Sequence, residues 1–165
     1  MKRAGWIPAS ILTTILAAGT ARAWETAKEG TFDGTWTIHG DTYSMEFGDE
    51  AEVVTVFRFT GPALIRTANG FAPLMRSECL GFTAPKTGTV GRCVLTDPEG
   101  DRVFCELSAA MTPGIANVGG HFVAGTGKYR GISGTLRFQA VTGRQVAGRE
   151  NTGQTMTIFG TWLLP

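Results

Sequence analysis

Residues 119–138, GGHFVAGTGKYRGISGTLRF, contain six glycines in twenty positions, with Lys128 and Arg130 beside them. The spacing excludes two nucleotide-binding motifs. A phosphate-binding loop of the form GxxxxGK[ST] would need glycine where Phe122 stands and Ser or Thr where Tyr129 stands. A dinucleotide-binding GxGxxG would need a third glycine at Arg130. What remains is a glycine-rich connection between two β-strands.

Short alternating runs of apolar and polar residues surround this connection, and Gly, Pro, Asp and Asn interrupt them. No segment with helical periodicity exceeds about two turns. The alternation predicts nine strands, at residues 34–39, 42–47, 52–60, 73–82, 90–96, 101–108, 120–124, 133–141 and 154–163. Turns are predicted at residues 39–41, 60–62, 97–100 and 141–144, and longer loops at 110–119 and 143–153. Eight or nine antiparallel strands predict an all-β domain, either a sandwich or a closed barrel of about eight strands.

The alternation also assigns each side chain to one face of the sheet. Ser44 and Glu106 are predicted to face outward, whereas Thr55 is predicted to face an apolar interior. An eight-stranded barrel is just wide enough to be filled by side chains or to hold one small ligand. Six inward-facing residues are therefore candidate ligand-binding residues: Trp36, Tyr43, Phe57, Phe59, Cys105 and Phe138.

In such a barrel the glycine-rich connection would lie at one rim. We expect Tyr129 to pack as a lid over that end, and Lys128 and Arg130 to point to solvent. The alternative is that these two cations grip an anion. Four glycines are expected to supply positive φ angles or close backbone approach there: Gly125, Gly127, Gly131 and Gly134.

The N-terminal residues have the features of a signal peptide. Lys2 and Arg3 precede an apolar run over residues 7–18, and ARA at 21–23 fits the small-x-small cleavage pattern. The apolar run is too short to remain as a membrane span, and no cysteine at the cleavage site could carry a lipid. We expect residues 1–23 to be removed and residues 24–165 to form one periplasmic or secreted domain without a stable membrane anchor.

Removal of this segment changes the net charge. Without Lys2, Arg3 and Arg22, the 15 basic residues fall to 12 against 14 acidic ones, so the net charge becomes −2. No basic excess is available to displace counterions from a polyanion. Nucleic acids and anionic membrane surfaces are therefore not expected as partners.

Three cysteines remain, at positions 79, 93 and 105. In an oxidising compartment two of them would pair and one would be left over. Cys79 and Cys93 flank one predicted hairpin, whereas Cys93 and Cys105 flank the next. Spacing alone does not decide between the two hairpins.

Motifs for metal binding and catalysis are missing from the sequence. The chain has only two histidines, no CxxC pair and no GxSxG nucleophile elbow. His121 has no partner that spacing would assign, and a surface position is expected for it. The stretch TDPEGD at 96–101 lacks EF-hand spacing and is predicted to be a hairpin turn. We therefore assign no metal, no cofactor and no catalytic residue.

With the strands placed, GTGKYRGISG at 125–134 resembles the loop and strand that characterise allene oxide cyclase-like and dirigent-like barrels. The segment CLGFTAPKTGTVGRCVLTDPEGDRVF, which begins at Cys79, is similar to exported bacterial members of that superfamily. The resemblance spans roughly residues 77–138. It implies a closed, calycin-like barrel of eight antiparallel strands, and it favours a Cys79–Cys93 disulfide with Cys105 free. Several members are oligomers, so the resemblance is compatible with self-association.

Three functions are compatible with these observations. The first is a binding protein that holds a small hydrophobic molecule in its lumen, and FDGTW at 32–36 also resembles the first strand of lipocalin-like and avidin-like barrels. The second is a cofactor-independent cyclase or isomerase, which would need ionisable groups inside the barrel. Arg76 and Glu78 would supply such groups if their strand face were lumenal; the alternative is an ordinary surface pair. The third is a filled barrel that acts through protein contacts. The shortage of predicted inward-facing ionisable groups favours the first.

Overall fold

The computed structural model describes residues 28–48, 52–67, 74–110, 114–142 and 147–165. The predicted signal peptide lies outside these ranges. Eight strands account for most of the described chain: β1 (Glu29–Phe47), β2 (Glu52–Thr67), β3 (Leu74–Ala84), β4 (Gly88–Thr96), β5 (Arg102–Ala109), β6 (Gly114–Gly125), β7 (Ser133–Thr142) and β8 (Gly148–Leu163). A 3-10 turn, Gly127–Tyr129, precedes β7. Within these ranges no helix is long and apolar enough to cross a lipid bilayer.

Each strand pairs antiparallel with the next, and β1 also pairs with β8, so the sheet closes into a barrel in the order β1 to β8. Closure leaves no unpaired sheet edge. The predicted fold class, an all-β closed antiparallel barrel of about eight strands, is confirmed. Inward-facing side chains from all eight strands share one apolar interior, in which Trp36 and Leu136 are among the most completely buried.

The first two predicted strands are one continuous strand, so the turn predicted at residues 39–41 is wrong. Gly40 lies inside β1, paired with Phe59 of β2. A Cβ atom at Gly40 would overlap the backbone carbonyl of Arg58. Glycine is therefore used here for close approach of two strands and not for a turn.

Three other strands extend by six or more residues beyond their predicted limits. β2 continues through the predicted turn at 60–62, while β6 begins at Gly114 and β8 at Gly148, inside the predicted loops. The predicted turn at 97–100 is confirmed, since Gly100 N–H donates to the Asp97 carbonyl at 3.1 Å. The predicted turn at 141–144 falls partly outside the described residues.

One half of the barrel interior is filled. Phe32, Phe122, Ile132 and Tyr129 are buried at the end where β7 begins and β8 finishes. The rings of Phe32 and Phe122 lie 6.0 Å apart, and only about 70 Å³ of space remains among these side chains. We call this half the plugged half. The prediction that Tyr129 closes one end of the barrel is confirmed.

The β4–β5 turn and the 3-10 turn are joined through the buried Asp97 carboxylate. Its Oδ1 accepts the backbone N–H groups of Glu99 at 2.9 Å and Asp101 at 3.0 Å. Its Oδ2 accepts the Tyr129 hydroxyl at 3.2 Å and the Lys128 ammonium at 2.6 Å. Four donors on one carboxylate fix the plug against the turn.

Burial disfavours ionisation of Asp97, but the Lys128 ammonium and the backbone amides of Asp101 and Glu99 outweigh it, so the pKa of Asp97 is lowered. Burial, followed by the charge of Asp97, raises the pKa of Tyr129. The expectation that Lys128 points to solvent is wrong, because its Nζ also contacts Glu99 Oε2 at 2.5 Å. Lys128 therefore belongs to the plug, and a rim in which it grips an external anion is not supported.

The four predicted glycines behave as expected. Three have positive φ angles of 52°, 79° and 137°, at Gly127, Gly131 and Gly134 respectively. At Gly125, a Cβ atom would overlap the backbone of Tyr129. The glycine-rich stretch thus shapes the segment that carries the plug.

Candidate functional site

The other half of the barrel encloses a cavity of about 250 Å³. It lies where β1 finishes and β2 begins, and we call this half the cavity half. Of the six predicted ligand-binding residues, Trp36, Phe57, Phe59 and Phe138 line this cavity. Their binding role stays a prediction, but their shared location is established.

Aromatic rings make up much of the cavity wall. Phe57 and Phe59 stack with ring centroids 5.1 Å apart and planes inclined by 15°. Trp36 meets Phe138 edge to face at 5.4 Å. Phe57 lies against Gly81 of β3, where a Cβ atom would overlap its ring. A Cβ atom at Gly81 would also overlap the carbonyl oxygen of Val90, so glycine is needed here both for the Phe57 ring and for the close approach of β4.

The deep end of the cavity is fixed by one buried hydrogen-bond chain. Trp36 Nε1 donates to Ser77 Oγ at 2.7 Å, and Ser77 Oγ donates to the carbonyl of Gly61 at 2.8 Å. The indole N–H is thereby satisfied although the ring is almost completely buried. This chain holds the Trp36 ring as the boundary between the two halves.

Tyr43 does not line the cavity, so its predicted inward position is wrong. Its side chain is 51% exposed and borders an outer groove with Val56 and Arg58. Because β1 is continuous, the inward-facing set on β1 runs through even-numbered residues to Ser44. The predicted turn at 39–41 wrongly assigned the odd-numbered residues after it, including Tyr43, to the inner face of the sheet.

The correction brings hydroxyl groups into the lumen that sequence reasoning missed. Ser44, Thr83 and Thr89 line the cavity together with the predicted Thr55. Ser44 Oγ and Thr55 Oγ1 are hydrogen-bonded at 2.7 Å, and Thr83 Oγ1 and Thr89 Oγ1 at 2.9 Å. The lumen is therefore more polar than predicted. Unbroken alternation of β1 through Gly40 is the sequence signal that would have placed Ser44 inside.

The three cysteines form a row across β3, β4 and β5, where Cys79 pairs with Cys93 and Cys93 with Cys105 in the sheet register. The disulfide joins Cys79 to Cys93, and Cys105 is a buried free thiol. The predicted pairing is confirmed. Burial raises the pKa of Cys105 to about 12. Cys105 lies in the barrel wall beside the disulfide and is not among the side chains that line the cavity.

Arg76 and Glu78 lie on the outer face, so the lumenal alternative for this pair is wrong. Glu78 forms an exposed ion pair with Arg58 at 3.0 Å. His121 is also on the outer surface, where its Nε2 lies 3.4 Å from Glu106 Oε2. Arg92 contacts the same carboxylate. These charged groups are separated from the cavity by the sheet.

Ionisable groups are scarce around the cavity. Among the described residues that line it, Glu150 is the one carboxylate, and no Lys, Arg or His lines it. No group of three or more His, Cys, Asp or Glu side chains in the described ranges could hold a metal ion. Besides the Glu150 carboxylate, the described lining residues offer a ligand aromatic rings, hydroxyls and the amide of Gln154.

A scan against profiles of protein families, a search of curated proteins and a search of solved structures each found no match to this chain.

Proposed function

We propose that this protein is an exported barrel that binds one small, mostly apolar molecule in its lumen. The observation that carries the proposal is the aromatic-lined cavity of about 250 Å³ in the cavity half. Small-molecule sites are typically concave and apolar, with a few polar groups that fix orientation. An apolar cavity of about 150 Å³ holds benzene. Scaling the size of benzene in proportion to the cavity volume of about 250 Å³ gives a ligand of about ten non-hydrogen atoms.

Export and family membership are parts of the same proposal. Lys2, Arg3 and the apolar run at 7–18 support a cleaved signal peptide. The Cys79–Cys93 disulfide indicates a non-reducing compartment, in agreement with a periplasmic or secreted location. The eight-stranded barrel and this disulfide are what the resemblance to allene oxide cyclase-like barrels implies, and they support assignment to that superfamily.

Binding is favoured over catalysis because the cavity offers little acid–base chemistry. A cyclase or isomerase needs a group that moves or stabilises charge at the reacting atoms. Glu150, the one carboxylate among the described lining residues, is solvent-exposed. Hydroxyls and aromatic rings are suited to recognition of a neutral molecule.

Native mass spectrometry of the protein purified from its own host tests the binding proposal. We expect an extra mass on the order of 150 Da per chain, as the cavity volume suggests, and its loss on denaturation. Ala116 lines the cavity on β6, so Ala116→Phe should abolish the extra mass. Ala124→Phe, at an exposed position of the same strand, should retain it. A wild-type protein that stays bare, even after incubation with a mixture of small apolar compounds, would contradict the proposal.

N-terminal sequencing of the same sample tests export. The proposal requires a mature chain that begins at Trp24 and lies in the periplasmic or secreted fraction. An intact N-terminus in the cytoplasmic fraction would contradict export without affecting the binding proposal.

A further inference from the structure

Four hydroxyl side chains form one row across the inner wall of the cavity half. In the sheet register Ser44 of β1 is opposite Thr55 of β2, Thr55 is opposite Thr83 of β3, and Thr83 is opposite Thr89 of β4. All four line the cavity. Cross-strand neighbours on one face lie about 5 Å apart, so the row is a continuous polar strip across four adjacent strands of the cavity wall.

The row has hydrogen-bonding capacity that its internal bonds do not use. Each hydroxyl has one donor and two acceptor positions. The two internal bonds, Ser44 to Thr55 and Thr83 to Thr89, use one donor each. Two O–H donors and several lone pairs remain without a recorded protein partner in the described part of the chain. Ser44, Thr55 and Thr83 are nonetheless buried, where unused polar groups cost free energy.

The charge around the row selects against an anion. Among the lining residues in the described ranges, no cation is available to neutralise a carboxylate or phosphate. Glu150 on β8 would repel one, and it lies opposite Thr42 of β1, two residues from Ser44. An anionic ligand would lose its hydration without gaining an opposite charge.

Beyond the row, the wall formed by β2 and β3 is apolar, whereas β8 contributes the polar side chains of Thr152 and Gln154. Two residues beyond Thr55 along β2, Phe57 lies opposite Gly81 of β3. Two residues further, Phe59 lies opposite Cys79, which belongs to the disulfide. A molecule with its polar end on the row would therefore place the rest of its structure against stacked rings and sulfur. This polarity gradient suits a molecule with one neutral polar end and one apolar end.

We propose that the ligand is an uncharged amphiphile of about ten non-hydrogen atoms, whose hydroxyl or carbonyl head group hydrogen-bonds to the row formed by Ser44, Thr55, Thr83 and Thr89. Its apolar part lies against Phe57 and Phe59. This assignment rests on the proposed lumenal binding function and specifies the chemical class of the ligand.

Isothermal titration calorimetry at pH 7 with 1-octanol, octanoate and octylamine tests the assignment, because the three probes share one tail and differ in head-group charge. The variant Ser44→Ala/Thr55→Val removes both members of a hydrogen-bonded pair and leaves no orphaned partner. Its matched control is Thr37→Val/Thr155→Val, which removes a hydroxyl pair at 3.0 Å on the outer face. Thermal unfolding of each variant verifies folding, and Thr83→Val is the substitute if the double variant does not fold.

We expect 1-octanol to bind at least tenfold more tightly than octanoate or octylamine. The lumenal double variant should weaken 1-octanol binding about fivefold, the factor that one net hydrogen bond contributes. The outer-face control should bind as the wild type does. The assignment would be overturned if octylamine or octanoate bound more tightly than 1-octanol. It would also be overturned if the folded lumenal variant bound 1-octanol as tightly as the wild type does. Either result would leave the proposed lumenal binding intact. Failure of all three probes to bind the wild type would overturn both.

Discussion

Replacement of Asp97 by asparagine tests whether the plug is held by charge. Asparagine keeps an oxygen for the backbone amides of Glu99 and Asp101, which Asp97 Oδ1 accepts at 2.9 and 3.0 Å. It replaces Oδ2 with an amino group, which cannot accept from the Lys128 ammonium at 2.6 Å and can only donate a neutral hydrogen bond to the Tyr129 hydroxyl at 3.2 Å. The change removes the charge-assisted bonds and preserves the shape.

The expected loss follows from these two contacts. A hydrogen bond to a charged group contributes about 1.5–3 kcal/mol. The buried Tyr129 contact changes from a charge-assisted bond to a weaker neutral one. The Lys128 contact is lost, but Lys128 is partly exposed and keeps Glu99, which reduces its share. We expect Asp97→Asn to lower the free energy of unfolding by about 3 kcal/mol at pH 7, which corresponds to a decrease in Tm of about 10 °C.

The pH dependence identifies the charge as the cause. The folded-state pKa of Asp97 is lowered, so its contribution is complete above the unfolded-state pKa of about 3.9 and is lost as the pH falls through the folded-state value. The difference in stability between wild type and Asp97→Asn should therefore be constant near neutral pH and should shrink below about pH 4.

Urea unfolding of both proteins between pH 2.5 and 8, followed by tryptophan fluorescence, measures this difference. Asp33→Asn is the control, because Asp33 pairs with Arg66 at 2.6 Å on the exposed outer face and its loss should have no measurable effect. The reasoning is refuted if Asp97→Asn is no more destabilising than Asp33→Asn, or if its effect persists unchanged at the lowest pH.

Three further outcomes are expected. Burial raises the pKa of Cys105 to about 12, so at pH 8 iodoacetamide should label it only after unfolding, and rapid labelling of the native protein by mass spectrometry would contradict the buried position. Replacement of both Cys79 and Cys93 by alanine should lower the free energy of unfolding by about 3 kcal/mol, as expected for a loop of this length; urea titration measures this loss, and a difference below about 1 kcal/mol would be inconsistent with it. Gly81→Ala should cost about 1–3 kcal/mol, because the added Cβ would overlap both the Val90 carbonyl oxygen and the Phe57 ring. Equal thermal stability of variant and wild type would disprove these contacts.

The sequence predicted the fold well because period-two alternation records burial directly. β5 and β7 alternate without interruption, and Val103, Cys105, Leu136 and Phe138 are all buried as predicted. β5 follows the confirmed turn at 97–100, and β7 follows the 3-10 turn Gly127–Tyr129. In strands where the local alternation of apolar and polar residues agreed with the observed burial, each inward-facing residue could be assigned from the sequence.

The candidate site was harder to predict because glycine has more than one structural use. Gly40 was interpreted as a turn, whereas it allows close approach to the Arg58 carbonyl within an unbroken strand. That error exchanged Tyr43 for Ser44 on the inner face. Thr83 and Thr89 were missed for a different reason, since both lie just outside the predicted strands 73–82 and 90–96. The Lys128–Asp97 contact joins residues from separate turns, and no local pattern encodes it.

The division of the barrel into a plugged half and a cavity half has a consequence for how such a protein can change over evolutionary time. The close packing and the buried carboxylate that resist unfolding lie in the plugged half, away from the hydroxyl row. Substitutions at the hydroxyl row that resize or repolarise the cavity therefore leave the contacts of the plug untouched. A scaffold arranged in this way can acquire new ligand preferences by single substitutions at one end while the other end keeps the chain folded.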